Sequence, residues 1–243
     1  MEPSDHLRAL HHGADALVAA AAGHLDRPVR SCPGWDVADV VEHLGLVWEW
    51  AAAVVATGQR AERGAAPADR SDAVLLPWAR QRAARLEEIL GAADPDSDCW
   101  TFGLPRTRRF WIRRQAIETV LHTWDVQQAG GRPQAIDPAV AADGVDELLT
   151  VMAPRALGRA HGTWVGETLH LHRTDGDGEW TVRLGPDGAA DVERGHAKAD
   201  VALRGPAEAL WLWSTNRAPL AALPIETFGD TKLADRWTAE IAY

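Results

Sequence analysis

Residues 106–129 constrain this chain more than any other stretch. Phe110, Ile117, Val120, Leu121 and Trp124 recur there at helical spacing, and Gly130-Gly131 supplies a stop. The pattern predicts one long helix. Glu118 and His122 stand four residues apart, so both side chains leave one face, one turn apart. Arg114 is four before Glu118 and Asp125 three after His122, flanking the same face. A carboxylate and an imidazole so placed can chelate a divalent metal, as paired ligands do in His-Glu-x-x-His helices. Two protein ligands do not hold a catalytic metal, so a third must come from elsewhere in the chain.

The preceding hundred residues read as three more helices. Residues 4–25 carry a stripe from Leu7 to Leu25, with Ser4 placed to cap it and His11 and His12 as surface residues. Ser31-Cys32-Pro33-Gly34-Trp35-Asp36 is a turn, and Asp36 with Asp39 makes a capping-box-like start to a helix running to Thr57-Gly58. His43 sits beside that helix's apolar face. A polar imidazole there needs a partner: either a backbone carbonyl or carboxylate, or a metal for which it is the missing third ligand. Residues 72–91 form the third helix, with Pro77 fitting its first turn or a kink. Four helices with loops at 59–70 and 94–105 predict a four-helix bundle, in which ligands project inward from facing helices.

Beyond Gly131-Arg132-Pro133 the period changes. A helix from Asp137-Pro138 to about Met152 precedes alternating residues at 168–173 and 180–184, joined by the hairpin signal Asp175-Gly176-Asp177-Gly178. A turn at Pro186-Asp187-Gly188, a strand at 199–203 and helices at 206–216 and 229–241 complete a small, mostly antiparallel α+β domain. His170 and His172 point to one side of their strand and read as a solvated face, since no third donor lies nearby in sequence. The expected domains are 1–133 and 134–243.

With 243 residues and 46% hydrophobic composition the chain is long enough for a real core. A net charge of −10 argues against nucleic-acid or anionic-membrane partners. Two cysteines make no disulfide framework, and no secretory leader is evident, so a cytoplasmic protein is expected. Twelve Trp against one Tyr and three Phe is unusual, and packing is the default use of such residues.

Ser-Cys-Pro-Gly-Trp-Asp-Val-Ala-Asp-Val-Val-Glu-His-Leu-Gly (31–45) and Arg-Arg-Gln-Ala-Ile-Glu-Thr-Val-Leu-His-Thr-Trp-Asp (113–125) resemble the second helix and the metal-binding helix of mycothiol-dependent maleylpyruvate isomerase-like proteins. Residues 137–149 and the Leu-Trp-Leu-Trp stretch resemble their C-terminal domain. The resemblance implies an α+β protein, a DinB-like four-helix bundle followed by a small sterol-carrier-like domain. It implies a divalent metal, usually zinc, on His43, Glu118 and His122, and mycothiol as thiol cosubstrate. A thiol on such a metal ionises near neutral pH and can attack an electron-poor double bond, giving isomerisation or thiol transfer.

Asp125 and Arg217 are the candidate catalytic residues. Asp125 can orient a ligand histidine or pair with Arg108, Arg109 or Arg113 on the helix surface. The resemblance implies that Arg217 faces the metal cleft, where a guanidinium suits a carboxylate. Arg114 and Trp35 are candidates for cofactor binding. Arg114 can instead pair with Glu118 or stay solvated, and Trp35, Trp111 and Cys32 either line the cleft or pack in the core. The expected partner is a small electrophile, with an anionic one as an option, acting on a monomer or small homo-oligomer. A non-catalytic binding module with a structural metal and a metal-dependent hydrolase are the alternatives.

Overall fold

The computed structural model describes residues 1–157, 164–186 and 190–241. The chain divides into two compact units, Met1–Ala135 and Ile136–Tyr243, the division falling two residues past the expected one. The first is a bundle of α1 (Pro3–Ala21), α2 (Val37–Thr57), α3 (Asp72–Ala92) and α4 (Arg108–Ala129). Helix α1 packs mainly on α4 and α2 mainly on α3.

Helix α1 starts earlier than the Ser4 cap predicts. Pro3 takes the first helical position, where its fixed φ and missing N–H cost nothing, and Glu2 and Asp5 cap each other reciprocally. The helix also stops before Leu25, at Ala22-Gly23, although Leu25 stays buried. Asp36 caps α2 as expected, accepting the Asp39 N–H at 2.8 Å while Asp39 accepts the Asp36 N–H. Helix α2 is long and apolar enough to cross a membrane, but Val40, Val41, Leu44, Trp48 and Ala51 are sealed inside the bundle. A Cβ at Gly45 would run into the Trp78 ring, so this glycine sets how closely α2 and α3 approach. Pro77 lies in the second turn of α3, one turn later than its easiest position.

Trp50, Trp100, Phe102, Phe110 and Trp111 form an aromatic cluster with ring centroids 4.9–6.5 Å apart. Trp111 is fully buried in it and gives its indole N–H to the Trp100 carbonyl at 2.7 Å, so of its two expected uses packing is the one observed. The cluster ties the 94–105 loop to the start of α4.

The second unit opens with α5 (Pro138–Glu147), a π-helical turn (Leu148–Met152) and α6 (Ala153–Leu157). Pro154 has no N–H for the Thr150 carbonyl and its ring crowds that oxygen, which accounts for the widened turn before it. Strands β1 (Glu167–Arg173), β2 (Glu179–Leu184), β3 (Ala190–Arg194), β4 (Val201–Gly205) and β5 (Glu226–Gly229) form one sheet in the order β3-β2-β1-β4-β5. All pairs are antiparallel except β1 with β4. Of the expected turn at Pro186–Gly188, Asp187 and Gly188 lie outside the described residues. Strand β4 begins two residues later than expected, just after Asp200, whose carboxylate accepts both the N–H and the hydroxyl of Thr168 at 2.8 Å. Helix α7 (Ala207–Ser214) and α8 (Thr231–Glu240) stack Trp213 on Trp237 at 6.5 Å, and both contact β1 and β4.

Register decides which face each strand residue takes. Leu169, Leu171, Trp180 and Val182 share the buried face, and His170, His172, Glu179 and Thr181 share the other. That second face is not the solvated one expected from the sequence. His170 is 3% exposed, and burial pushes its imidazole below its ordinary pKa against the pull of Glu179.

Candidate metal centre

Helix α4 is buried almost all round from Phe110 to Gln127, polar residues included. A helix so enclosed must satisfy its polar side chains internally. Thr123 donates to the Gly13 carbonyl at 2.9 Å, and the Trp48 indole donates to the Thr119 hydroxyl at 2.9 Å. These bonds fix the rotation of α4, and with it the direction of Glu118 and His122.

His43 arrives from α2 with its Nε2 3.0 Å from Glu118 Oε1. The other Glu118 oxygen is ion-paired with the Arg114 guanidinium, itself 3% exposed. The rings of His43 and His122 meet edge-on with centroids 5.1 Å apart. One donor atom from each of His43, Glu118 and His122 lies within 4.8 Å of the others. The structure therefore brings the helical pair and the third expected ligand together.

Asp125 is fully buried and stands behind His122, its Oδ2 2.9 Å from His122 Nδ1. With Nδ1–H donating to that carboxylate, Nε2 keeps its lone pair for a metal. The same Asp125 accepts the Ser31 hydroxyl at 2.6 Å and lies 3.7 Å from Cys32 Sγ. Asp125 is thus buried and placed to orient a histidine, one of its two expected roles. Arg108 instead bonds the Val55 carbonyl, and Arg109 pairs with Asp96. Cys32, His122 and Asp125 also form a three-donor group. That grouping competes for His122, whose Nδ1 is already committed to Asp125. Ser31 was not singled out from the sequence. Its role arises because the 28–36 segment folds back on itself through the Pro28–Asp36 bridge.

Trp35 borders the centre, its ring 5.2 Å from His43 and 6.5 Å from His122. Arg114 is drawn to the centre by Glu118. Arg217 lies in the second unit, 8% exposed, with one guanidinium nitrogen donating to the Thr215 carbonyl at 2.9 Å.

The donor chemistry fits a borderline divalent cation. Two neutral imidazoles and one carboxylate suit zinc and its neighbours, and three protein ligands leave a position open. Glu118 is also paired with the Arg114 guanidinium, and Asp125 with the His122 imidazole.

Comparison with known proteins bears on both units. No curated protein matches the chain. A solved structure of a double mutant of the sec-alkyl sulfatase PisA1 aligns over 84% of this chain and 32% of its own length, at 16% identity and a TM-score of 0.34. That superposition is too loose to bear on fold or activity. The model described as the mycothiol maleylpyruvate isomerase N-terminal domain matches residues 7–127, which contain all three candidate ligands and Asp125. Its companion, the C-terminal domain of the same isomerase family, matches residues 139–236. With both halves matched in order, the chain belongs to the mycothiol maleylpyruvate isomerase family.

Proposed function

We propose that the protein is a divalent-metal- and mycothiol-dependent enzyme that activates a thiol for attack on a small electrophile, as an isomerase of the maleylpyruvate type or a thiol S-transferase. The observation that carries this reading is the convergence of His43, Glu118 and His122, with Asp125 fixing His122 from behind. An ion held there, zinc by its donor set, would supply the positive charge that lowers a thiol's pKa towards neutrality. The chain's own residues supply the rest. Asp125 holds the His122 ring in one tautomer, and Arg114 holds the Glu118 carboxylate. Trp35 offers an apolar wall beside both histidines. Arg217 is proposed to receive an anionic group of the substrate or thiol, a contact that suits a guanidinium. The partner is a small molecule rather than a nucleic acid or membrane, and the cytoplasm, which keeps thiols reduced, is the proposed compartment.

The test is turnover of a panel of electron-poor alkenes by purified protein with Zn²⁺ and mycothiol, read by mass spectrometry. Thiol-dependent isomerisation or adduct formation supports the reading. Turnover that persists without thiol overturns it in favour of metal-bound water as the nucleophile.

A further inference from the structure

A second group of metal-binding donors lies wholly within the C-terminal unit. His170 Nε2 is 3.2 Å from Glu179 Oε2, His172 Nδ1 is 3.2 Å from Glu179 Oε1, and His196 Nδ1 is 2.8 Å from Glu179 Oε2. One donor atom from each of the four residues lies within 4.8 Å of all the others. Ligands at the corners of a tetrahedron about 2.0–2.2 Å from zinc stand about 3.3–3.6 Å from one another, and the three contacts to Glu179 are close to that spacing.

The fold builds this arrangement. Strand alternation puts His170 and His172 on one face, and the hairpin register sets Glu179 opposite His172 and Thr181 opposite His170. Gly195, at φ 114°, turns the chain back after β3 and donates its N–H to the Glu179 carbonyl at 2.9 Å. That turn carries His196 over the Glu179 carboxylate, and a side chain at position 195 would be strained there.

His170 supplies the independent sign of a ligand. Its Nδ1 is 2.9 Å from the Thr181 hydroxyl, and with Nδ1–H donating to that oxygen a lone pair is left on Nε2. Nε2 is buried and makes no hydrogen bond. Glu179 Oε2 lies 3.2 Å away, and in that tautomer the two set lone pair against lone pair. A buried polar atom left so costs stability unless something accepts its lone pair. A cation does.

We propose that His170, His172, Glu179 and His196 bind a zinc-class divalent ion that clamps β1, β2 and the return at Gly195–His196. Three imidazoles and one carboxylate favour zinc, nickel or copper over magnesium and calcium, which take oxygen ligands. Four protein donors close the coordination shell, so this ion is a staple rather than a reaction centre. His196, the most exposed of the four, and half-buried His172 form the rim by which it enters.

The experiment uses the full chain, stripped with chelator, loaded with Zn²⁺ alone, desalted to remove loosely held ions and analysed for metal content. The wild type should retain two ions per chain. His172→Ala/His196→Ala, altered only at the rim so that the fold survives, should retain one. His43→Ala/His122→Ala should also retain one, and Zn²⁺ should still raise its unfolding temperature. A wild type that holds no more zinc than His172→Ala/His196→Ala overturns the proposal. A wild type with a single ion, lost in the rim variant and kept in His43→Ala/His122→Ala, instead upholds this site and sinks the bundle centre.

Discussion

The two histidine–glutamate clusters are assembled by opposite routes. In the bundle, Glu118 and His122 lie one turn apart on α4, and His43 comes from a helix 75 residues before Glu118. In the sheet, His170 and His172 alternate along one strand, Glu179 faces them across a hairpin, and His196 returns over the top. The bundle places buried support behind its donors, with Asp125 at His122 and Arg114 at Glu118. The sheet places its buried support at His170, through Thr181, while the His196 side chain is 78% exposed. Three ligands, two of them backed by buried partners, with a position open suit chemistry. Four ligands with an exposed rim suit a clamp.

That contrast breaks most directly when a bundle ligand is removed. His122→Ala should cost more than the roughly 10–100-fold loss in metal affinity that follows removal of an outer partner, and should abolish turnover. Metal analysis and activity read it together, and an occupied bundle site in His122→Ala defeats the assignment. Next in size is Asp125→Asn. It keeps the shape but weakens the acceptor for His122 Nδ1–H, and should lower metal affinity by about 10–100-fold. An affinity within error of wild type would make Asp125 a structural residue.

Arg217→Ala sharpens the comparison by leaving both metal sites alone. Loss of one charge-assisted bond costs about 1.5–3 kcal/mol, roughly a ten- to hundredfold fall in kcat/KM with unchanged zinc content. Arg217→Lys should recover only part of it, because an ammonium cannot bind a carboxylate bidentately. Kinetics equal to wild type in Arg217→Ala would remove it from the mechanism. The smallest effect is expected at Thr181→Val. Losing the partner of His170 Nδ1 should weaken zinc at the sheet about tenfold, the low end for such contacts, and leave the bundle ion untouched. Competition with a zinc-sensitive dye measures both.

How far the sequence revealed each cluster follows from where its donors sit. Glu118, His122 and Asp125 share one helix, so a 3.6-residue period is enough to put them on one face. His43 needed the family motif, because periodicity only says that it lies beside a core stripe. Ser31 could not be read at all, since its bond to Asp125 depends on how the 28–36 segment folds back. His170 and His172 looked like a solvated strand because their partners come from cross-strand register and from a glycine-dependent return. The four-residue edge strand Glu226–Gly229 was missed for a similar reason, being defined by its pairing with β4 rather than by any pattern of its own.

The placement of Glu118 and His122 on consecutive turns of α4 also bears on the order of events as the chain folds. Starting a helix is its costliest step, because several residues must be fixed before one backbone bond forms. Contacts between distant segments wait longer still, since a large loop has to close first. A cation held by Glu118 and His122 would clip together a turn that has just formed, before α2 delivers His43. Zinc present during refolding should therefore speed the appearance of helix, as stopped-flow circular dichroism would show, and Glu118→Gln should erase the gain. On this view the ion is an early participant in building the bundle and not a late arrival at a finished pocket.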